Sequence, residues 1–343
     1  MNAGVPGHGS TGGSSAGGDR VVYVIIAFHL PDPDSALRQV DSMARQSDVA
    51  VRIVAVLDGA ETAGRADLRD LLQRNNAVLA VNERPLGVRD AFARGLSTAL
   101  ELSQSESDCF AYCDQDDVWH DRKLYDCLSA LRSGSLHLVH CDARVVDAAG
   151  AERAASLHRF ETRRQAHNLL QAILLNAVTG MTTLFTRDAA LLASAVMTRY
   201  RGALLHDHVT AVAAASKGKI GFLDKALVDY VQHDGNQIGA RLRRSPWRRR
   251  AMGLSHVAMY RETSARLFEE RRGLCLALAE NGMLPARMAT LFLTGERPSL
   301  PAFLLRYFSA VASLVMKGQG RRAMLCLRMM DAALTMRRRM SGR

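Results

Sequence analysis

The sequence predicts an α/β fold in which a mostly parallel sheet is flanked by helices and followed by a helical C-terminal region. Three observations support this prediction. Short apolar runs rich in β-branched residues alternate with amphipathic stretches of helix length over the first two thirds of the chain. The spacing of these runs suits strand–helix–strand crossovers, which favour parallel pairing. Beyond about residue 240 the chain is basic and has a helical pattern.

The first part of the chain carries the clearest strand and helix signals. Residues 21–28 (VVYVIIAF) and 49–57 (VAVRIVAVL) are continuous apolar runs, which are typical of buried strands. Residues 34–46 between them have helical spacing, with Asp34 as the candidate N-cap. The pattern then predicts a helix near 64–75, a strand at 77–81, a helix near 88–104, a strand at 109–113, a helix near 121–133 and a strand at 136–141.

The pattern changes after about residue 145. It predicts a helix at 162–175, a strand around 181–185, a helix at 206–216, and two short strands in KIGFL and ALVDYVQH. The chain is therefore divided into three parts. The Gly- and Ser-rich residues 1–19 are expected to be a disordered leader, without the apolar segment of a signal peptide. Residues 20–240 form the α/β domain, and residues 241–343 form a basic helical region.

The positive charge is concentrated in the C-terminal part. Residues 240–343 contain 21 Lys or Arg and 6 Asp or Glu, whereas residues 1–239 contain 24 and 28. This part contains two apolar stretches. Residues 299–316 are interrupted by Arg306 and are too short to span a bilayer, and residues 321–340 have apolar residues at helical spacing flanked by Arg. They either pack on the α/β domain, bind an anionic membrane surface, or form a homodimer. The chain shows no nucleic-acid-binding motif, which argues against a nucleic-acid partner.

Three carboxylates follow the strand at 109–113 within four positions: Asp114, Asp116 and Asp117. Ionised together in a partly buried loop, they would repel one another. A solvated turn would carry them without a function. Alternatively, an Asp-x-Asp pair at a strand end suits Mg²⁺ or Mn²⁺, which take one or two carboxylates together with substrate phosphates.

Other polar residues follow predicted strand ends or begin helices. Asp58 precedes a Gly at the end of the second strand, and His233 follows a later strand; either is a turn residue or a ligand contact. Asp207 begins a predicted helix, where it is either an N-cap or a general base facing a cleft. The flanking His206 and His208 are expected at the surface.

A family resemblance rests on these motifs in order. The segments DQDDVWHDRKL, NAVTGMTTLF and HDHVTAVAAASKGKIGFLDKALVDYVQHDGNQIG resemble the family 2 glycosyltransferases with a GT-A fold. The similarity covers roughly residues 20–240 and is greatest to bacterial rhamnosyltransferases of polysaccharide assembly. It implies a Rossmann-like GT-A domain, a nucleotide-sugar donor such as dTDP-rhamnose or a UDP-sugar, and a glycan or lipid-linked acceptor.

The resemblance assigns the donor and metal sites. Asp58 matches the family's strand-end nucleotide-binding Asp. Asp114 and Asp116 match its metal motif for Mg²⁺ or Mn²⁺, with Asp117 in support. Asp114 and Gln115 would also contact the nucleotide sugar.

The resemblance also assigns the rest of the site. Asp207 matches the acidic residue that deprotonates the acceptor, and His233 matches a late His that contacts the metal or the diphosphate. Thr179, Gly180 and Met181 match the family's sugar-binding loop.

The match has two departures, both near the nucleotide pocket. Ala27-Phe28-His29 replaces the usual Thr-Tyr-Asn stretch, and Leu57-Asp58 replaces a usual Asp-Asp or Asp-Asn pair. The resemblance therefore leaves the identity of the nucleobase open.

The resulting hypothesis is an inverting, metal-dependent glycosyltransferase in surface polysaccharide synthesis. It would act in the cytoplasm, with the basic region at the inner face of the membrane. Two alternatives remain at this point: a degenerate sugar-binding or scaffold subunit, and a nucleotidyltransferase. The second would usually carry an early Gly-rich phosphate loop with Arg or Lys, which VVYVIIAFHLPDPD lacks.

Overall fold

The computed structural model describes residues 20–161, 163, 168–174, 176–200, 202–232 and 255–293. The predicted leader and the apolar stretches after residue 293 lie outside these ranges. The first half of the domain comprises β1 (Val21–Phe28), α1 (Pro33–Ala44), β2 (Ala50–Asp58), α2 (Ala60–Ala63), α3 (Ala66–Arg74), β3 (Val78–Asn82), α4 (Val88–Leu102) and β4 (Cys109–Cys113).

The second half begins with a two-residue strand directly after the carboxylate cluster. Its elements are β5 (Val118–Trp119), α5 (Lys123–Ser133), β6 (Leu136–Asp147), β7 (Glu152–Ala154), α6 (Leu157–Phe160), α7 (Leu169–Leu174), a 3-10 turn (Gly180–Thr182), β8 (Thr183–Thr186), α8 (Arg187–Arg199), α9 (His206–Lys217), β9 (Lys219–Gln232), α10 (Ser255–Glu280) and α11 (Ala286–Phe292).

The strands form one mixed sheet in the order β3-β2-β1-β4-β8-β6-β9-β5, with β7 paired to β6. The pairs among β3, β2, β1 and β4 are parallel, whereas β8 is antiparallel to both of its neighbours. In the parallel part Phe28 pairs with Leu57, and Asp58 pairs with Asn82. The carboxyl ends of these strands therefore lie along one edge, where ligands bind in such sheets.

Alternate residues of β1 enter two apolar layers on opposite faces of the sheet. One layer is filled by α4 and by α7 to α11, and the other by α1, α3 and α5. Gly95 lets α4 lie directly against the sheet. A Cβ at this position would be 2.5 Å from Ile25 Cγ2 and 2.9 Å from Val56 Cγ2.

The described part of the C-terminal region packs into the same core. Phe268, Leu274, Cys275 and Leu278 of α10 and Phe292 of α11 are buried with side chains of α8 and α9. The packing interpretation concerned residues 299–316 and 321–340, which lie outside the described residues, so it stays a prediction. Within the described part of the chain, none of the helices has the length and apolarity needed to cross a membrane.

Several predicted elements differ in detail from the observed ones. The N-cap of α1 is Asp32, whose side chain accepts from the Ser35 N–H at 2.9 Å, so the prediction of Asp34 was wrong. Pro33 occupies the first turn, where its missing N–H costs nothing. The two short strands predicted at the end of the domain are one strand, β9. The predicted helix at 162–175 contains only α7 among its described residues. The class itself is confirmed: the chain has a GT-A-like α/β fold.

Candidate active site

A cavity of about 1320 Å³ lies at the sheet edge where β1, β2 and β4 end. The beginnings of α4 and α9 form its other walls. Of the ten residues that the sequence predicts for the site, eight line this cavity: Asp58, Asp114, Gln115, Asp116, Thr179, Gly180, Met181 and Asp207. Residues from distant parts of the chain therefore share one space large enough for a nucleotide-sized ligand.

Asp58 is buried and its carboxylate is bonded to the loop that precedes α4. One oxygen accepts from Asn82 Nδ2 and from the Leu86 N–H, both at 2.8 Å, and the other accepts from the Gly87 N–H at 3.1 Å. A carboxylate has about four acceptor positions. Three of those of Asp58 are filled by these hydrogen bonds, which fix the wall of the cavity. Its contact with a nucleobase stays a prediction.

The loop after β4 is fastened to the end of β1 through Gln115. The Oε1 atom of Gln115 accepts from the His29 N–H at 2.9 Å. Burial, together with the charges of Asp116 and Asp207, raises the pKa of the Asp114 carboxyl to about 7. The loop thus brings carboxylates together at a cost that a bound cation would relieve.

The pair Asp114 and Asp116 fits a hard divalent cation by its donor chemistry. Carboxylate oxygens suit Mg²⁺ and Mn²⁺, and Mg²⁺ typically takes one or two of them beside substrate phosphates. Within the described ranges, no group of three or more His, Cys, Asp or Glu side chains is arranged to hold a metal ion. A cation here would therefore need ligands beyond this pair, such as a diphosphate.

Asp117 has a different position from the other two carboxylates. It is fully buried, does not line the cavity, and accepts from the Val231 N–H at 3.2 Å through Oδ1. Burial, followed by the charges of Asp114 and Asp116, raises its pKa well above the usual range. This placement suits an anchor between the carboxylate loop and the end of β9 better than a metal ligand.

Lys123 is a buried cation beneath this loop that the sequence interpretation missed. Its side chain is fully buried, and Nζ lies 3.2 Å from the centre of the Trp119 ring. Burial lowers the pKa of its ammonium group, and the charge of Asp117 acts in the opposite direction. A fully buried Lys is rare, so the sequence motif WHDRK gave only a weak signal for this contact.

Asp207 occupies the second position of α9 and is not its cap. The N-cap is Leu205, and no side chain caps the helix, so the capping interpretation was wrong. Burial raises the pKa of the Asp207 carboxyl to about 6. This value already includes smaller, lowering contributions from the His208 N–H, the charge of Arg163, the Asn176 side chain and the Gly180 N–H. A carboxylate with such a pKa is ionised at neutral pH and still basic enough to accept a proton.

The flanking histidines are both buried, so the expectation of surface positions was wrong. His206 stacks on Phe92 with ring centroids 3.8 Å apart and meets Tyr112 edge-on at 4.6 Å. His208 Nε2 lies 2.8 Å from the Ala172 carbonyl oxygen. Burial lowers the pKa of each imidazole to about 3, so both are neutral. They fix the start of α9 and with it the position of Asp207.

Two further residues of the cavity wall escaped the sequence interpretation. Arg163 Nε donates to Glu161 Oε2 at 2.5 Å, and Arg163 Nη1 donates to the Thr179 hydroxyl. Asn176, the first residue of NAVTGMTTLF, lines the same cavity as Asp207. Nothing in their local sequence marks them, because the fold alone brings them to the site. The predicted His233 lies outside the described residues.

Comparison with known proteins finds a family model that matches part of the chain. Residues 23–191 match the family model described as Glycosyl transferase family 2. No curated protein matches the chain significantly.

Crystal structures of TarS from S. aureus resemble the fold at low sequence identity. The TarS 1-349 structure is 13% identical, with 94% of this chain and 92% of that chain covered and a TM-score of 0.47. The complex of this segment with UDP-GlcNAc is 15% identical, with 88% and 92% covered and a TM-score of 0.44. The complex with UDP is 12% identical, with 94% and 92% covered and a TM-score of 0.46.

The family match spans the strands that end at the cavity and includes Asp58, Asp114 and Asp116. Residues 23–191 are therefore similar to glycosyltransferase family 2, and the chain is a glycosyltransferase that depends on a nucleotide sugar.

Proposed function

We propose that the chain is an inverting, metal-dependent glycosyltransferase that moves a sugar to a glycan or lipid-linked acceptor in surface polysaccharide synthesis. Rhamnose from dTDP-rhamnose is the first donor to test, because the sequence resembles rhamnosyltransferases. One observation carries the proposal. The pair Asp114 and Asp116 and the separate carboxylate of Asp207 line the same cavity, at the edge where such sheets bind ligands.

The carboxylate pair would bind the metal ion that contacts the diphosphate of the donor. Asp114 and Asp116 would bind Mg²⁺ or Mn²⁺, which when bound would offset the negative charge that develops on the departing diphosphate. Gln115 would keep their loop against the end of β1 through its bond to the His29 N–H. Asp117 would keep the same loop against β9 through the Val231 N–H.

Asp207 would act on the acceptor as the general base. Its carboxylate would take the proton of the acceptor hydroxyl while that oxygen forms a bond to the anomeric carbon. The bond from the anomeric carbon to the diphosphate breaks, and the bonding pair leaves with the diphosphate. A single displacement of this kind inverts the configuration at the anomeric carbon.

The basic C-terminal region would bring the enzyme to its acceptor. Residues 294–343 contain 10 Lys or Arg and 2 Asp or Glu. An anionic membrane surface attracts such segments, by about 1 kcal/mol for each basic residue near the surface. A lipid-linked acceptor would be found at that surface.

Thermal stabilisation by a panel of nucleotide sugars tests the proposed function. The panel contains dTDP-rhamnose, UDP-GlcNAc, UDP-glucose, the nucleoside diphosphates and the nucleoside triphosphates, each with Mn²⁺ or with EDTA. A true donor should raise the melting temperature more than its nucleotide does, because the contacts of its sugar add affinity for the folded state. Stabilisation by nucleoside triphosphates alone would support a nucleotidyltransferase. Donor binding with no release of nucleoside diphosphate, across a panel of acceptors, would support a sugar-binding subunit.

A further inference from the structure

His206 begins α9 and lines the cavity beside the proposed base, Asp207. Its side chain is 4% exposed, and among the residues that the structure describes neither ring nitrogen has a hydrogen-bond partner. His208 is equally buried, yet its Nε2 lies 2.8 Å from the Ala172 carbonyl oxygen. Buried polar groups in proteins nearly always have a partner, so His206 is suited to a partner that enters the cavity.

The ring of His206 is held in one orientation by its neighbours. It stacks on Phe92, with ring centroids 3.8 Å apart and an angle of 17° between the planes. The rings of His206 and Tyr112 meet edge to face, with centroids 4.6 Å apart. A Cβ at Gly180 would lie 2.8 Å from His206 Nε2, so the ring fits there only because residue 180 has no side chain. The directions of the two ring nitrogens are therefore set before a ligand binds.

The chemistry of this ring selects a hydroxyl group as its partner. Burial lowers the pKa of the imidazole to about 3, so the ring is neutral at pH 7 and has one N–H donor and one nitrogen acceptor. A hydroxyl can accept from the first or donate to the second, whichever tautomer is present. A phosphate would be held better by a cationic side chain. Sugar hydroxyls are the hydroxyls that a transferase dependent on nucleotide sugars brings to its cavity.

We propose that His206 is a substrate-binding residue whose imidazole hydrogen-bonds a hydroxyl of a sugar next to the reacting centre. The inference rests on the proposed function, because the proposed base Asp207 marks this end of the cavity. The sugar of the donor and a sugar acceptor both carry such hydroxyls, and the experiment separates these two sources.

The test compares His206→Phe, which keeps a flat ring on Phe92 and removes both nitrogens, with His137→Phe as the control. His137 is half-buried in β6 and does not line the cavity. Calorimetry of the full chain with Mg²⁺ measures binding of UDP-GlcNAc, dTDP-rhamnose, UDP and dTDP. Loss of a donor contact should weaken binding of a nucleotide sugar about 3- to 10-fold, the effect of losing one hydrogen bond, with UDP and dTDP unchanged. His137→Phe should bind all four as the native protein does.

Loss of an acceptor contact gives a different pattern. The nucleotide sugars should then keep native affinity, and methyl glycosides of rhamnose and N-acetylglucosamine should bind His206→Phe about 3- to 10-fold more weakly in the presence of UDP or dTDP. NMR titration with Mg²⁺ measures this weak binding. Native affinity for both the nucleotide sugars and the glycosides would overturn the inference. An equal loss for UDP and dTDP would overturn it as well, because these carry no sugar for transfer.

Two further measurements separate a hydroxyl contact from a merely structural effect. His206→Gln, whose amide supplies a donor and an acceptor, should restore part of the lost affinity. Donors and glycosides that lack single hydroxyls should identify the contact, because the analogue without the contacted hydroxyl should bind His206→Phe and native protein equally. A loss of the same size for every analogue would contradict a hydroxyl contact. His206→Leu serves the same measurements if His206→Phe does not fold.

The inference and the proposed function can fail separately. If the native protein binds nucleotide sugars more tightly than the nucleotides but releases no nucleoside diphosphate, the proposed function fails, while the binding comparison still decides the role of His206. If the native protein transfers sugar and His206→Phe binds every probe as the native protein does, only the inference fails. Native protein that binds no nucleotide sugar more tightly than its nucleotide, and no glycoside, would also overturn the inference.

Discussion

Asp207 and Asp114 lie 93 positions apart in the sequence, yet the charge of Asp207 contributes to the raised pKa of Asp114. Both side chains line one cavity, one at the end of β4 and the other in the first turn of α9. The two groups belong to one electrostatic site. Binding of a cation at Asp114 and proton transfer at Asp207 should therefore influence each other.

The first prediction concerns the metal. Asp116→Asn should weaken binding of dTDP or UDP about 10- to 100-fold, the effect of losing one hydrogen bond or contact to a charged group. Calorimetry with Mn²⁺ measures this loss, and native protein in EDTA should show a similar weakening. Asp121→Asn is the control, because Asp121 is exposed on the next loop. Equal nucleotide affinity of the native protein in Mn²⁺ and in EDTA would contradict the metal role.

The second prediction concerns the pH dependence of transfer. The base acts only when Asp207 is ionised, and burial raises its pKa to about 6. The rate at saturating donor should thus be nearly constant above pH 7 and fall about tenfold per pH unit well below pH 6. Stopped assays between pH 4.5 and 8.5 give the profile. A rate that stays constant down to pH 5 would remove Asp207 from the proton transfer.

The third prediction tests the packing that supports the cavity. Gly95→Ala should lower the free energy of unfolding by about 1 to 3 kcal/mol, because the new Cβ meets Ile25 and Val56. The better helix propensity of Ala, about 1 kcal/mol, only partly offsets this. Urea unfolding measures the change. Ser97→Ala on the exposed side of α4 should be near neutral, and a stabilised Gly95→Ala variant would refute the close contact.

The fourth prediction concerns the C-terminal region. Truncation after Leu293 should leave a folded protein, whereas truncation after residue 245 should not, because it removes Phe268, Leu274 and Phe292 from the core. The full chain should bind anionic vesicles in a salt-sensitive way, and the chain ending at Leu293 should bind much less. Vesicle flotation at two salt concentrations tests this. Equal binding to neutral and anionic vesicles would rule out electrostatic attachment.

Much of the sheet could be predicted from the sequence, because its first strands are continuous apolar runs. The bounds of β1 and β4 agree with the prediction to the residue. The antiparallel orientation of β8 was not predictable, since it depends on pairing with β4 and β6, which are distant in sequence. The two strands expected at the end of the domain form the single strand β9 for the same reason, which is pairing with a strand distant in sequence. Its pairing with β6 continues past the exposed Asp224 and Lys225 through a shift in register.

Some residues of the site could likewise be predicted from the sequence, whereas others could not. Asp114, Asp116 and Asp207 could be found because acidic residues at strand ends and helix starts are visible in the sequence. Arg163 and Lys123 could not, since their contacts with Thr179 and Trp119 form only after folding. The position of His206 between Phe92 and Gly180 likewise depends on how α4 and α9 pack together.

The most direct test of the account is the turnover of Asp207→Asn at saturating donor and acceptor. We predict a loss of about 10² to 10⁴-fold, the usual contribution of positioned proton transfer, with donor affinity close to native. The variant should be at least as stable as the native protein above pH 6, because Asn removes a buried carboxylate whose pKa is raised in the folded state. Asp188 is likewise the second residue of its helix, α8, but is exposed, so Asp188→Asn should keep native turnover. A folded Asp207→Asn variant with near-native turnover would contradict the account.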